Sequence, residues 1–339
     1  MMSLDKTMKI RIWRLALTCV FLFLISWRLS ISESSWSLIT IWFVMYEYST
    51  VGGVVRKSWL RFWGTLLSAI YGLLIVYCCG NNPWINIMAL VAGLFLFGYF
   101  FMEGGRVYTG TIGAVTLTIV LLNYNDMELA VLRVFNVMIG IVASVLMMRF
   151  FYPQYARNGL IDRQLGWLNE LIAWLEDYLD LRQQHDDLKK KIGALEEAIY
   201  MQGKEYARLL LEAKMETKKA PFFVTDSAEV KTHCQHLFQS FHVLSRLWPN
   251  EIRDHQTLRQ SLEDLLASLY QIRARLLGNN TMVAEARPRM MDMDKEELLL
   301  QPALGLLLKE AHKTVMQLEQ VIASTTQVYQ YYKHMLPQH

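Results

Sequence analysis

Arg56, Lys57, Arg61, Arg106 and Arg133 stand among six apolar stretches that run from Ile10 to Phe151 with only short polar breaks between them. A cation at membrane depth costs about 2.5–3.5 kcal/mol on insertion scales, so it persists where a cavity, a counter-charge or an anion compensates it. The chemistry open to such residues is electrostatic: a cationic side chain beside a narrow, low-dielectric passage stabilises a passing anion more than it does in water. Arg56, Lys57, Arg61 and Arg133 are therefore the expected substrate pathway. The plainer reading of the first three is a set of positive flanks on the cytoplasmic side. For Arg133 it is a side chain that snorkels outward or pairs with Asp126, Glu128 or Glu47.

Arg61, Gly64, Thr65 and Ser68 fall at i, i+3, i+4 and i+7, one face of a helix. Gly64, Thr65 and Ser68 form a small-residue stripe that lets helices approach closely, with the arginine pointing along the same face. Glu47 reads as the one carboxylate well within a span, either a proton-coupling group or an internal partner for an arginine. Between these two elements the pair Gly52-Gly53 is expected to end one helix, a basic turn to follow, and a new helix to begin.

The elements that position these residues are transmembrane helices, because soluble cores do not string together six apolar runs each long enough to cross roughly 30 Å of hydrocarbon. The chain has 339 residues, 53% of them hydrophobic, with a mean hydropathy of +0.19. That average conceals two halves: residues 1–154 hold 11 Lys and Arg against 6 Asp and Glu, and the remainder holds 23 against 25. The spacing predicts a transmembrane domain over 1–153 with spans at about 12–31, 36–55, 59–79, 84–102, 107–123 and 129–150. The fifth run is short and rich in Thr and Gly, which suits packing between helices more than facing lipid. Basic residues ahead of the first run have no small-residue cleavage site after them, so that run reads as a first span, not a removed signal. Lys6, Lys9, Arg11, Arg14, Arg56, Lys57, Arg61, Arg106, Arg149, Arg157 and Arg163 all fall to one side, which puts both termini in the cytoplasm of a multi-pass plasma (bacterial inner) membrane protein.

From residue 154 to 339 the pattern becomes amphipathic and charged, predicting a cytosolic helical bundle with helices at about 156–184, 186–215, 226–247, 252–277 and 294–336. The first of these is expected to run on from the membrane with only a kink at Pro153. Asp226-Ser227-Ala228-Glu229 reads as a helix start with its carboxylate three residues on. The fold class is thus all-α: a six-helix transmembrane bundle followed by a helical cytosolic domain. His233, Cys234, His236 and His242 do not share one helix face, so no metal is expected, and no cofactor-binding or catalytic motif is present. Four scattered cysteines are no disulfide framework. The Asn279 sequon falls in the half assigned to the cytoplasm and is expected to stay unmodified. The short basic runs at 189–191 and 218–219 sit on a nearly neutral domain, and no nucleic-acid partner is expected.

The ordered element Glu47-Tyr48-Ser49-Thr50-Val51-Gly52, then Lys57, Arg61 and Gly64-Thr65, then Arg133, Asn136, Ile139-Gly140 and Pro153, resembles the aluminium-activated malate transporter family and, more broadly, the fusaric acid resistance and aromatic acid exporter superfamily. The sequence departs from the plant channels at Val107-Tyr108-Thr109-Gly110, where they carry Tyr-Asp-Tyr-Gly, and it lacks their Trp-Glu-Pro tail signature; aluminium gating is not implied. The resemblance implies a path for carboxylates lined by Lys57, Arg61 and Arg133. The leading expectation is an anion channel or facilitator for organic or inorganic anions such as malate, and not an enzyme. It would work as a homodimer, because six helices are few for a self-contained pore. The alternatives are a proton-coupled exporter of aromatic or fusaric-acid-like acids, and a membrane-anchored scaffold with a partner-binding tail.

Overall fold

A computed structural model describes residues 6–79, 82–123, 127–180, 185–216, 221–245, 256–277 and 302–333. Among these, all regular structure is helical: α1 Lys6–Arg28, α2 Ser35–Met45, α3 Val51–Cys79, α4 Pro83–Phe101, α5 Val107–Leu122, α6 Met127–Phe150, α7 Ala156–Asp180, α8 His185–Glu216, α9 Pro221–Leu244, α10 Gln256–Leu276 and α11 Pro302–Lys333. The chain divides into two compact units, Met1–Ala156 and Arg157–His339.

Among the described residues of the first unit, five helices are long and apolar enough to cross a membrane, and α2, with 11 residues, is a shorter apolar helix. This corrects the second expected span, 36–55. The chain leaves helical geometry after Met45 and re-enters it at Val51, because Thr50 is an N-cap: its hydroxyl accepts the backbone N–H of Gly53 at 3.1 Å. Gln154 supplies a second acceptor for the new helix end, taking the N–H of Val51 at 2.8 Å. Gly52 and Gly53 therefore open α3 instead of closing α2. The Tyr48 ring folds back onto Gly53 so closely that a Cβ there would overlap it. Arg56 and Lys57, expected in a turn, lie in the second turn of α3, and Glu47, expected inside a span, lies in the α2–α3 break.

The Val51 N–H bond to the Gln154 carbonyl and the contact of Arg56 with Gly105 bring the α2–α3 break, the exit from α6 and the α4–α5 break to one end, termed proximal. The bond from Asn136 to the Ser32 carbonyl and the Arg133–Glu33 pair bring the α1–α2 break to the first half of α6, at the other, distal end. α3 packs most extensively on α5, α2 on α6, and α4 on α5, with α3 also against α6. Gly64 permits the close approach of α3 and α5: a Cβ on it would meet the Thr109 carbonyl oxygen at 2.6 Å, and the Thr109 hydroxyl donates to the Leu60 carbonyl at 3.1 Å. The expected kink at Pro153 is a full break. α6 ends at Phe150, Tyr152 takes a left-handed φ of 51°, and α7 begins at Ala156, since the residue before a proline is steered away from helical geometry.

In the second unit α9 packs on α8 and α11, and α10 on α11. α9 begins at Pro221, five residues before the expected start; proline suits the first helical position, where its missing N–H costs nothing. Trp174 is fully buried, stacked on Tyr178 at 5.1 Å and on Phe241 at 5.2 Å. A buried polar line crosses this core, with Gln164 donating to the Tyr206 hydroxyl at 2.8 Å and Tyr206 donating to the Ser227 carbonyl at 2.7 Å. Burial pushes the Tyr206 phenol well up, so it stays neutral and donates. The Asn279 sequon and the basic pair 218–219 lie outside the described residues.

Candidate functional site

Arg61 stands about 15 Å along α3 from Val51 at 1.5 Å per residue. Its side chain turns inward, and the residue is only 4% exposed. The guanidinium lies 5.4 Å from the Phe43 ring centre, and Nη1 donates to the Tyr108 hydroxyl at 3.2 Å. Its Nε is buried with no hydrogen-bond partner, as is the hydroxyl of Thr65 one turn on. Ser68, the third member of that face, spends its hydroxyl on its own helix, donating to the carbonyl of Gly64 at 2.7 Å or Thr65 at 3.0 Å. The packing stripe and the chemical stripe thus separate: Gly64 and Ser68 serve contact, whereas Arg61 and Thr65 present unspent donors.

Arg61 and Thr65 line a small cavity of about 40 Å³ bounded by α2, α3, α5 and α6, and Arg133 of α6 lines it as well. Its remaining walls are mostly apolar, including Ile112, Ile119 and Val120 of α5 and Val134 and Val137 of α6, with Trp36 at the distal end. That volume accommodates a carboxyl group or a few waters. Arg133 has its guanidinium 5.3 Å from the Trp36 ring centre, and it faces the Glu33 carboxylate, Nε to Oε2 3.7 Å, an ion pair too long to be a hydrogen bond. The expected partners were Asp126, Glu128 or Glu47; Asp126 lies outside the described residues, and among those described the α1–α2 break supplies Glu33. Asn136 fixes that break in place by donating to the Ser32 carbonyl at 2.9 Å, and the Ser37 hydroxyl donates to the Asn136 carbonyl at 2.8 Å.

The other two expected pathway cations sit elsewhere. Lys57 is ion-paired with Glu47 and lies between two rings, 5.4 Å from the centre of Tyr48 and 4.8 Å from that of Tyr108. Glu47 is thereby the partner of a lysine, not of an arginine. Arg56 reaches the α4–α5 break, where its Nη2 lies against Gly105. Of the four cations, Arg61 and Arg133 share the cavity, while Lys57 and Arg56 occupy its proximal approach.

Three participants escaped the sequence reading. Tyr108 bridges Arg61 and Lys57; only its place two residues after Arg106 hinted at a proximal location. Glu33, in the α1–α2 break, was not among the carboxylates expected to pair with Arg133. Arg14, taken as a flank ahead of the first span, lies within α1 and is fully buried. It donates to the Tyr152 carbonyl at 3.1 Å, the Ser49 carbonyl at 2.9 Å and Gln154 Oε1 at 3.2 Å, tying the α2–α3 break to the exit of α6. A signal existed: Arg14, Thr18, Leu22 and Ser26 recur every fourth residue, and all four are buried.

In the second unit His242 Nδ1 lies 3.1 Å from Glu196 and Cys234 is buried in the helix core, its thiol pushed up to about 12 by desolvation. His233 is held below its ordinary value by desolvation and, second, by His236. Among the described residues no group of three or more metal-ligating side chains converges.

The sequence matches the profile of the Fusaric acid resistance protein family over residues 12–334. It is also 32% identical over 146 residues to the Inner membrane protein YeeA of Escherichia coli (strain K12), a match that covers 42% of this chain and 40% of that relative's length. The chain belongs to the fusaric acid resistance protein family, and it is a multi-pass membrane protein.

Proposed function

We propose that the membrane unit exports organic carboxylate anions, binding each carboxyl group between Arg61 and Arg133. The observation that carries this reading is the shared cavity: the buried Arg61 and the half-buried Arg133 border one small space, and the Nε of each has no hydrogen-bond partner. A buried donor without a partner costs roughly 1–3 kcal/mol, and an incoming carboxylate oxygen removes that cost. The apolar wall favours an acid with an aromatic or aliphatic body over an inorganic anion. Export is favoured over the channel of the sequence reading because the space admits one carboxyl group, not a file of hydrated ions, and because the family is described by resistance to an aromatic acid.

The proximal end, with Arg56, Lys57, Arg106 and Arg149, faces the cytoplasm under the positive-inside rule, so both termini and the helical tail lie there. A second copy packed against the apolar flank of the first unit would supply the outer wall of the path. A membrane-impermeant maleimide applied to intact cells is expected to reach Cys78 or Cys79, both exposed near the distal end of α3. Labelling of that pair only after the cells are permeabilised would reverse the orientation.

The deciding experiment is reconstitution in liposomes with benzoate and malate, with and without a pH gradient, beside current recordings. Gradient-dependent flux without conductance supports the exporter. Ohmic current supports the channel, and neither supports the scaffold.

A further inference from the structure

Glu33 has three features that no packing role requires together. It holds a left-handed φ of 58° although it is not glycine, a conformation that persists in non-glycine residues only when the surroundings enforce it. Its carboxylate is steered by the Trp36 indole, whose Nε1 donates to Oε2 at 3.1 Å. The same oxygen lies 3.7 Å from Arg133 Nε, which has no hydrogen-bond partner, and both of its neighbours, Arg133 and Trp36, line the cavity. Asn136, three residues along α6 from Arg133, clamps the backbone of the same break through the Ser32 carbonyl. The backbone of the break is therefore fixed while the ion pair it delivers is loose.

We infer that Glu33 is a tethered competitor for the substrate's carboxylate: it rests on Arg133 when the cavity is empty, yields to an incoming anion, and returns to expel that anion at the distal end. This inference rests on the anion-binding reading above. The chemistry is an exchange of one carboxylate for another on a single guanidinium, with no bond made or broken and no change in the net charge of the protein. A long, strained pairing suits that exchange. A bidentate Arg133–Glu33 pair would hold the site shut, whereas no carboxylate at all would leave the exported anion with nothing to displace it.

Removal of an internal competitor tightens apparent binding by the fraction of time it occupied the site, about tenfold for a carboxylate resident nine-tenths of the time. It also slows release, so half-saturation and maximal rate fall together, the signature of lost ground-state opposition. The test is benzoate flux from proteoliposomes of purified full-length protein for the parent, Glu33→Gln, Glu33→Asp, Arg133→Ala and Glu128→Gln. Glu33→Gln keeps an oxygen for the Trp36 N–H and is expected to lower both half-saturation and maximal rate, with Glu33→Asp, a charge on a shorter arm, moving in the same direction by less and the exposed Glu128→Gln near the parent. Trp36→Phe, which keeps a ring beside Arg133 but removes the N–H that steers Glu33, is expected to move in the same direction by a smaller factor. Unchanged kinetics in Glu33→Gln, or a rise in half-saturation like that of Arg133→Ala, would overturn the inference while leaving the anion site standing. If Glu33→Gln is poorly folded by size exclusion, the Trp36→Phe kinetics decide in the same way. Absence of benzoate flux in the parent would remove both.

Discussion

Arg14 and Arg61 are two buried arginines of the same membrane unit, each leaving its Nε without a partner, yet their surroundings differ in kind. Arg14 spreads its terminal nitrogens over two backbone carbonyls and a carboxamide from two breaks in the chain. Arg61 spends one nitrogen on a tyrosine hydroxyl and borders a cavity. The first arrangement closes polar groups that helix ends leave open, and the second holds positive charge ready. The contrast teaches that an intramembrane arginine is read from what its donors meet: protein acceptors mark a clamp, an adjoining cavity marks a site.

Replacement of Arg61 separates the two roles most sharply. Arg61→Ala is expected to lower carboxylate flux by about 10–100-fold, the equivalent of one lost charge-assisted hydrogen bond, at unchanged protein level in the membrane. Flux measured per milligram of reconstituted protein checks this, and parental flux would make Arg61 a clamp like Arg14. The converse holds for Arg14→Ala, which strands the Ser49 and Tyr152 carbonyls and is expected to cost about 2–4 kcal/mol of stability, from the desolvation penalty of those groups. Thermal unfolding in detergent should register the loss, with flux per folded molecule retained. Arg14→Lys should rescue little, because one ammonium does not reproduce the planar fork that reaches three acceptors.

Tyr108→Phe sharpens the comparison on the Arg61 side. The ring stays beside Lys57 while the hydroxyl that accepts from Arg61 is gone, so flux should change by about three- to tenfold, in line with a single neutral partner worth 0.5–1.5 kcal/mol. A larger collapse would make Tyr108 part of the anion site itself. Glu47→Gln should have the smallest effect. Glu47 is 53% exposed and pairs with Lys57 at the proximal end, where such a pair contributes about 0–1 kcal/mol. Dependence of flux on a pH gradient is expected to survive; its disappearance would make Glu47 the coupling carboxylate.

The helical class, the apolar segments, the change of character after residue 153 and the shared face of Arg61, Gly64, Thr65 and Ser68 were legible in the chain, because each depends on composition or on the 3.6-residue period. The end of α2 was misread because Ser49-Thr50-Val51-Gly52 continues an apolar run. What matters there is a hydroxyl capping Gly53 N–H, and a cap is a geometric event that the same residues do not announce when they lie inside an apolar stretch. The exit at Pro153 was read as a kink for a related reason: proline weakens a helix, but the left-handed Tyr152 is what ends it.

The sequence by itself determined which residues are cationic at membrane depth and that an uncompensated charge there is untenable. Only the tertiary structure decided how each is compensated. Lys57 found Glu47 ten residues away, Arg133 found Glu33 a hundred residues away, and Arg14 found its acceptors at Ser49, Tyr152 and Gln154. No local pattern encodes such pairings, since they follow from which helix faces pack together, and packing is a property of all the side chains at an interface at once. The cavity between Arg61 and Arg133 has the same origin: it is the space that four helices leave when their other faces are satisfied.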